Sequence, residues 1–458
     1  MIKFLRKRLN NTPRIIFLGF LMVILIGAGL LSLPMSAANG KSTAFVDSLF
    51  TSTTSVCVTG LVTVPTYSHW SAFGKVVILI LIQLGGLGVI CIATGFLALL
   101  RRRISLASRK VIQESYNLDT SSGMVALVLR IIKTTILIEF LGAVGLSVRF
   151  IPQYGIKRGI IFSVFHSISA FCNAGIDLLG DSSLMPYVND VYFNIVVMLI
   201  IISGGLGFIV WWEIVDLIKR IINGSLAPGK FWERMSLHGK IVISMTGFLL
   251  IIGVVIVLGL EYDNPKSIGN MTMGNKVLAA AFQSVTLRTA GFCTIAQTGF
   301  KASTSMLMCV LMLIGGSPVG TAGGIKTTTV AILLIEVVSV IRGKEEAEVF
   351  RRRISKENVR TALAVATISV LSAIIAMIVL TETEGVSIKI ISYEVFSAIG
   401  TVGLSMDFTS SLSVIGKFII ILLMFMGRIG PITLASAFAA RQSRAKETEL
   451  PERKIIIG

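Results

Sequence analysis

Long stretches without a charged residue limit what this chain can fold into more than any other feature. Five of them reach or approach the roughly 20 residues that a helix needs to cross a bilayer, namely 15–33, 76–100, 191–212, 241–260 and 361–380. Only 14% of the 458 residues are charged, against about 25% in a typical soluble domain. Because backbone polar groups must be satisfied inside a membrane, we predict an all-α polytopic membrane protein and exclude soluble enzyme folds.

A fourfold internal repeat organises the chain. Four glycines, each at the end of a short and weakly apolar segment, recur at spacings of 115, 116 and 112 residues: Gly60, Gly175, Gly291 and Gly403. Each copy reads as a long apolar helix, the short segment and a second long helix. We therefore predict eight transmembrane helices in four helix–pore loop–helix repeats around one central pore. The predicted repeats are 1–105, 106–222, 223–345 and 346–458.

The distribution of basic residues predicts the orientation of these helices. The predicted helices cover 14–34, 74–100, 124–148, 191–218, 239–260, 303–341, 359–381 and 412–440. The segments on the side of the two termini carry 27 Lys and Arg, and the opposite segments carry 9. By the positive-inside rule, both termini are cytoplasmic in a multi-pass protein of the cell membrane. The net charge of +18 is thus mostly a matter of topology, and it gives no support for nucleic-acid binding.

The four short segments are too short to cross a bilayer and too apolar for exposed loops. Irregular backbone at membrane depth is tolerated where it lines an aqueous cavity, and its carbonyls can replace the water shell of a cation. Because the side chains before each glycine differ while the glycine stays, we expect backbone carbonyls to bind the ion. The predicted filter residues are Val58, Thr59, Gly60, Asn173, Ala174, Gly175, Thr289, Ala290, Gly291, Thr401, Val402 and Gly403.

Charged residues near these segments suggest how ions approach them. Asp177 and Asp407 lie just beyond their glycines and either concentrate cations at the outer mouth or are ordinary solvated carboxylates. Arg288 would repel cations at the axis, so we expect its side chain to point back into the protein and pair with an outer carboxylate. No acidic ring of the kind that divalent cations prefer is present in the four segments.

A glycine cluster in each second helix marks a further repeat. The clusters are QLGGLG, SGGLG, IGGSPVGTAGGIKTTT at 314–329 and MGRIGP, in which Arg428 takes the place of the second glycine. Close helix packing is the alternative role for the first two clusters. In the third, five glycines and Pro318 disfavour helix and predict an intramembrane loop at about 314–328. We expect the gate there, formed by Gly315, Gly316, Ser317, Pro318, Gly320, Gly323, Gly324, Lys326 and Arg428.

These motifs resemble the Trk/Ktr/HKT superfamily of potassium transporters, most closely its Ktr-type membrane subunits. The resemblance rests on TSVCVTGL at 54–61, SAFCNAG at 169–175, TLRTAGF at 286–292, the glycine-rich break and the arginine of MGRIGP. It implies potassium uptake that is often sodium-stimulated, K⁺ bound at the filter carbonyls, and no other cofactor. It also implies a homodimer that is surrounded by membrane lipids. This homodimer binds a cytosolic ring of nucleotide-binding RCK regulatory subunits.

Two other classes of function compete with a pore. A membrane-embedded enzyme needs a catalytic constellation at membrane depth, and the three histidines are scattered, with no HExxH motif. A secondary cation transporter with coupled sodium or proton movement also uses broken helices at glycine and proline, and it remains the alternative. The two-helix units that share one orientation, each with its own short segment, favour the pore.

Overall fold

The computed structural model describes residues 12–89, 91–92, 94–95, 124–180 and 182–438. The described chain is mostly helical, and its single sheet is a hairpin of β1 (Glu348–Val349) and β2 (Arg352–Arg353). The predicted helix ends at 100 and 440, and most of the basic terminal segments, lie outside the described residues.

The helices of the first half follow the predicted order of long helix, short helix and second long helix. They are α1 (Thr12–Leu31), α2 (Phe45–Cys57), α3 (Thr66–His69), α4 (Ala72–Leu87), α5 (Met124–Phe171), α6 (Val191–Gly205) and α7 (Phe208–Ile222). Inside α5, Gly155 has φ 77° and ψ 167°, which is not a helical conformation. This residue divides α5 into a long first helix and a short helix over 156–171, so the second repeat contains the same elements as the first.

The second half repeats the order. Its helices are α8 (Phe231–Arg234), α9 (Leu237–Glu261), α10 (Met273–Thr286), α11 (Ala302–Leu313), α12 (Thr327–Ile341), α13 (Lys356–Glu384), α14 (Ile388–Gly400), α15 (Val414–Ile429) and α16 (Pro431–Phe438). Short 3₁₀ turns lie between helices at Pro34–Ser36, Met185–Tyr187, Pro228–Lys230, Gln297–Gly299 and Thr409–Ser411. Four short helices, α2, 156–171 of α5, α10 and α14, each lead into one of the four repeated glycines, and we call them pore helices.

Three of the second helices begin at similar caps. Side chains at the residue before the helix accept a hydrogen bond from a backbone N–H in the first turn, which satisfies one of the free donors there. These pairs are Ser71 with Gly74 N at 3.2 Å, Asp190 with Phe193 N at 3.0 Å and Ser413 with Gly416 N at 3.0 Å. The cap residues therefore fix where α4, α6 and α15 start.

Every second helix is broken, which corrects the predicted continuous helices over 74–100, 191–218 and 412–440. α4 ends at Gly88, which has φ 84°, and the bends between α6 and α7 and between α15 and α16 are 104° and 99°. Gly207 and Gly430, at the corresponding places, have φ 89° and 92°. A positive φ is accessible to glycine without a steric cost, so the last glycine of each cluster ends the first half of its helix. In the third repeat the break extends to thirteen residues between α11 and α12.

Membrane-compatible helices occur throughout the described chain. By length and composition, α1, α9 and α13 can each cross a bilayer, and two further spans follow if α6 with α7, and α15 with α16, count as one each. Large apolar side chains such as Met22, Phe140 and Ile251 are exposed on these and neighbouring helices. Such a surface is typical of a protein whose surrounding solvent is lipid.

The first and fourth repeats contact each other, so the four repeats form a closed ring. Lys417 on α15 and Asp47 on the first pore helix form an ion pair at 2.7 Å with both side chains largely buried. Arg14 Nε on α1 donates to the Ala437 oxygen at 2.6 Å. These two contacts join residues that are 370 and 423 positions apart in sequence.

Candidate ion pathway

The four repeated glycines meet at the centre of the ring, and we call them the ring glycines. A Cβ added to any of them would lie within 2.7 Å of a backbone oxygen of the neighbouring repeat. The pairs are Gly60 with Ala174, Gly175 with Ala290, Gly291 with Val402 and Gly403 with Thr59. Contact thus passes from each repeat to the next and back to the first, and a side chain at these four positions has no space.

The backbone conformation of the four segments is the same. The residues two before each ring glycine, Val58, Asn173, Thr289 and Thr401, have φ between 52° and 64°. The ring glycines have φ between 63° and 102°, while the residue between each pair keeps a negative φ. Successive carbonyls of a regular strand point in alternate directions, whereas a sign change of φ at every second residue turns them to one side. The arrangement suits a stack of carbonyl rings around an axis.

Left-handed backbone is unusual for the residue types found here. Val58, Thr289 and Thr401 are β-branched, and for such residues a positive φ is a genuine outlier. Conformations of this kind cost about 1–3 kcal/mol each and persist where the surroundings hold them. The three strained residues, which share their position with Asn173 of the second repeat, therefore make the segments a candidate functional site.

The pore helices also favour a cation at the ring. Each helix ends between three and five residues before its ring glycine. The C-terminal end of a helix carries a partial negative charge from its unpaired carbonyls. Four such ends converge on one point, so the potential there is attractive for a cation without any carboxylate in the ring.

Hydroxyl groups on the pore helices hold the segments in place. Thr54 Oγ1 and Ser397 Oγ accept hydrogen bonds from the ring glycine N–H groups of their repeats, at 2.9 and 3.0 Å. In the second repeat Ser169 Oγ bonds to both the N–H and the oxygen of Ile176. All three hydroxyls lie six residues before the ring glycine. This shared spacing is a signal in the sequence that could have identified them, and the prediction of the filter did not include it.

The third repeat departs from the other three. Thr286 Oγ1 lies five residues before its ring glycine and donates to the Phe292 oxygen at 2.6 Å. Arg288 is buried, and its guanidinium donates to the backbone oxygens of Thr246 and Gly315, both at 3.3 Å. The expected orientation into the protein is therefore correct, whereas the expected pairing with an outer carboxylate is wrong within the residues that the structure describes. Backbone oxygens, one of them at the start of the broken segment, satisfy the arginine instead.

Two cavities lie beside the ring glycines and the glycine clusters. The first, which we call the outer cavity, has a volume of about 330 Å³ and is lined by all four ring glycines together with Asp177 and Asp407. The second, which we call the inner cavity, has a volume of about 180 Å³ and is lined by residues of the glycine clusters, among them Gly86 and Gly320. Both predicted mouth carboxylates therefore line the same cavity as the ring glycines.

The loop over 314–326 lies between the ring and the inner cavity, and we call it the intramembrane loop. Its backbone bonds to the second repeat, with Ser317 N donating to the Gly205 oxygen at 2.9 Å and Thr321 N to the Gly204 oxygen at 3.1 Å. Thr321 Oγ1 also donates to the Phe171 oxygen at the end of a pore helix at 2.9 Å. The loop is therefore attached to the base of the filter segments.

The same loop contacts the filter side chains. Thr321 Oγ1 lies 3.5 Å from Asn173 Oδ1, and a Cβ on Gly323 would collide with Thr401 Oγ1. Asn173 Nδ2 in turn donates to Thr289 Oγ1 at 3.3 Å. The predicted gate segment and the predicted filter are thus in direct contact. Thr321, which is not among the residues predicted for the gate, joins them beside Gly323, which is among them.

Arg428 holds the intramembrane loop against the first repeat. Its guanidinium donates to the Thr321 oxygen on one side and to the oxygens of Gly85 and Gly86 on the other. Lys326 Nζ donates to the Ala322 oxygen at 2.6 Å. Arg428 and Lys326 both line the inner cavity, so two basic side chains border this side of the candidate pathway.

The first glycines of the clusters serve close packing. A Cβ on Gly85, Gly204 or Gly427 would collide with one of the last carbonyls of the adjacent pore helix. These carbonyls belong to Val56, Phe171 and Ile399. The packing role that the sequence left open for the first two clusters is therefore present in the structure, and in the first, second and fourth repeats it lets the second helix support a pore helix.

Known proteins resemble this chain in sequence and fold. The pattern of the family described as TrkH, cation transport protein, matches residues 12–448. The chain is 42% identical to the potassium/sodium uptake protein NtpJ of Enterococcus hirae, over 100% of this chain and 99% of that one. It is 38% identical to the Ktr system potassium uptake protein B of Bacillus subtilis, over 97% and 96%. The crystal structure of the potassium transporter TrkH from Vibrio parahaemolyticus superposes with a TM-score of 0.69 at 17% identity, covering 92% of this chain and 84% of that one.

Proposed function

Because this chain belongs to the TrkH family of cation transport proteins, which are transporters and not enzymes, we propose that it takes up potassium ions across the cell membrane. The observation that carries the proposal is the ring of four glycines with its shared backbone conformation. Relatives that match nearly the whole chain are named for potassium uptake, and one for potassium and sodium uptake. The ions that we assign to the pathway are therefore K⁺ and, as a second transported or activating ion, Na⁺.

Selectivity is proposed to arise at the backbone of the four segments. Carbonyls of the residues before each ring glycine would replace the water shell of K⁺. The site residues are those predicted from the sequence, Val58, Thr59, Gly60, Asn173, Ala174, Gly175, Thr289, Ala290, Gly291, Thr401, Val402 and Gly403. Support comes from the burial of nearly all of them and from the hydroxyl anchors behind them, which hold the carbonyl positions in place.

The proposed arrangement in the membrane has eight crossings in four repeats with both termini in the cytoplasm. The boundaries are those given above, with the intramembrane loop inside the third repeat. Each broken second helix then counts as one crossing. The excess of Lys and Arg on one side supports the orientation. On this arrangement the outer cavity with its two aspartates faces the outside, and the inner cavity with Arg428 and Lys326 faces the cytoplasm.

Gating is proposed to occur at the intramembrane loop. The loop lies across the inner side of the ring, and glycines at 315, 316, 320, 323 and 324 allow it to change conformation. Arg428 bonds the loop to the first repeat through carbonyls on both sides, so breaking these bonds would free the loop from the first repeat. A permanent cation beside the pathway also repels K⁺.

We propose that the gate responds to partner subunits. Relatives of this chain carry the name of the Ktr system, and the assembly that we propose is a homodimer on a cytosolic ring of RCK-type subunits. The hairpin over 348–353 presents Arg351, Arg352 and Arg353 at an exposed surface. These arginines are candidate contacts for that ring, together with the arginine run at 101–103, which lies outside the described residues.

Flux through reconstituted protein tests the proposal. Purified protein is placed in potassium-loaded vesicles, and uptake is measured under K⁺, Rb⁺, Na⁺ and Li⁺ gradients. We expect uptake of K⁺ and Rb⁺ to exceed that of Na⁺ and Li⁺. Equal fluxes of all four ions would contradict the filter, and the absence of any flux that depends on the protein, with or without its partner, would contradict the function.

A further inference from the structure

A buried carboxylate on the fourth pore helix is not used by the proposed pathway. Glu394 lies nine residues before Gly403 and is only 1% exposed. An isolated carboxylate at such a position is costly to bury unless it is hydrogen-bonded. Its partners therefore indicate why it is there.

Both partners of Glu394 belong to the segment that returns from the ring to the outer surface. Ser405 Oγ donates to Glu394 Oε2 at 2.8 Å, and Thr409 Oγ1 donates to Glu394 Oε1. Ser405 Oγ also accepts a hydrogen bond from Phe408 N at 3.2 Å. Between the two attachment points lies Asp407, which has φ 59° and is exposed. One carboxylate thus fixes both ends of a five-residue turn.

This turn forms part of the outer cavity. Ser405, Asp407 and Thr409 all line it, together with the ring glycines. On the same helix, Ser397 Oγ accepts from Gly403 N at 3.0 Å. The fourth pore helix therefore holds the ring glycine with one side chain and, with another, the part of the cavity wall that contains Asp407.

The other repeats use neutral groups at this place or none. His166 Nε2 accepts from Leu178 N at 3.3 Å, and Gln283 Nε2 donates to Gln297 Oε1 at 2.8 Å. In the first repeat, the buried hydroxyls of Thr51 and Thr63 have no hydrogen-bond partner within the part of the chain that the structure describes. Attachment of the return segment to the pore helix thus recurs in three repeats, and in the fourth the acceptor is a carboxyl group that bonds to two hydroxyls.

We propose that Glu394 is a positioning residue for ion access, which holds the turn over 405–409 so that Asp407 stays beside the ring glycines. This inference rests on the proposed potassium uptake. A rival explanation is that the negative charge of Glu394 itself attracts cations, without any part played by its hydrogen bonds. The two explanations differ in which substitutions they tolerate.

The variants separate hydrogen bonding from charge. Glu394→Gln removes the charge but keeps a planar group that can bond to both hydroxyls. Ser405→Ala with Thr409→Val keeps the charge but removes both donors, and Glu394→Ala removes the charge and the acceptors together. A matched control is Ser267→Ala with Thr304→Val, which removes two hydroxyl donors from another buried carboxylate, Glu261. None of the three control residues is among those that line the outer cavity of the described chain.

The first measurement is the K⁺ concentration for half-maximal uptake in vesicles, normalised to folded and membrane-inserted protein. We expect it to rise at least about tenfold in Glu394→Ala and in the double variant, because each removes two hydrogen bonds to Glu394 and the loss of one bond to a charged group already corresponds to about that factor. Glu394→Gln and the control should stay within about twofold of the unmodified protein. Combining Glu394→Ala with the double variant should not raise this K⁺ concentration further, because the three residues act as one unit.

The second measurement is hydrogen–deuterium exchange of residues 404–410, which does not depend on transport. The Phe408 amide should exchange faster in Glu394→Ala and in the double variant but not in Glu394→Gln. The inference would be overturned in favour of charge if Glu394→Gln raised the K⁺ concentration for half-maximal uptake as much as Glu394→Ala, while the double variant left it unchanged. Unchanged uptake and exchange in every variant would also overturn it. If the unmodified protein carries no K⁺, the proposed function fails, and exchange alone decides whether Glu394 holds the turn.

Discussion

Replacing Arg428 by lysine separates its two proposed roles, the attachment of the intramembrane loop and the fixed positive charge. Arginine reaches the Thr321 oxygen and the oxygens of Gly85 and Gly86 at once because its donors form a planar fork. A lysine ammonium is a single point on a flexible chain, and we expect it to reach one side only. Arg428→Lys therefore keeps the charge and loses one side of the attachment.

The size of the effect follows from the bonds that are lost. A hydrogen bond to a charged group contributes about 1.5–3 kcal/mol to the state that contains it. Losing one side of the attachment should weaken the closed loop by that amount, which corresponds to a change of about 10- to 150-fold in the ratio of closed to open loop. The filter segments are unchanged, so selectivity should stay the same.

The assay is K⁺ flux without the regulatory partner, normalised to folded and membrane-inserted protein. We expect the normalised flux of Arg428→Lys to rise by at least about tenfold. Arg149→Lys serves as the control, since Arg149 pairs with Asp190 at 2.9 Å on a partly exposed surface. A flux that stays at the level of the unmodified protein in Arg428→Lys but rises in Arg428→Gln would refute the attachment and leave the charge as the barrier.

Three further changes test other parts of the pathway. Gly60→Ala should lower the preference for K⁺ over Na⁺, as measured by ion competition. The control is Gly40→Ala, which imposes the same kind of backbone strain of about 1–2 kcal/mol but lies in open space, and it should leave the preference unchanged. Asp407→Asn should raise the K⁺ concentration for half-maximal uptake about two- to fivefold at low ionic strength, with a smaller effect at high salt, and an effect independent of salt would contradict a role in attracting cations. Gly85→Ala should lower the free energy of unfolding by about 1–3 kcal/mol because the added methyl group overpacks the site. Gly19→Ala, which has open space around it, should leave this free energy unchanged, and thermal unfolding measures both variants.

The ring glycines and the place of the intramembrane loop could be predicted from the sequence because both depend on local spacing. The sequence itself shows four glycines at nearly equal intervals. It also shows an arginine at the place where the first two glycine clusters have glycine. The breaks at Gly88, Gly207 and Gly430 were not predicted, for a physical reason. A single glycine in an apolar run disfavours helix by only about 1 kcal/mol, so the composition alone does not distinguish a packed helical glycine from one that ends a helix.

The partners of the buried charged side chains could not be predicted from the sequence. Arg288 bonds to backbone oxygens 42 and 27 residues away, and backbone acceptors leave no mark in the residue pattern. Glu394 pairs with hydroxyls 11 and 15 residues later, on a segment that turns back beside its own helix. Such a separation matches no periodicity of helix or strand, and serine and threonine are common enough that their presence predicts nothing.

Building the ring from one chain has a consequence for how the protein can vary. In an assembly of four identical subunits, each substitution appears four times around the axis. Here Gly60, Gly175, Gly291 and Gly403 are separate positions, so a change to one alters a quarter of the ring and leaves three quarters intact. Each quarter is therefore free to diverge on its own, as the third has done with Arg288 and the fourth with Arg428 and Glu394. A single pathway can in this way carry a different specialised part on each of its sides.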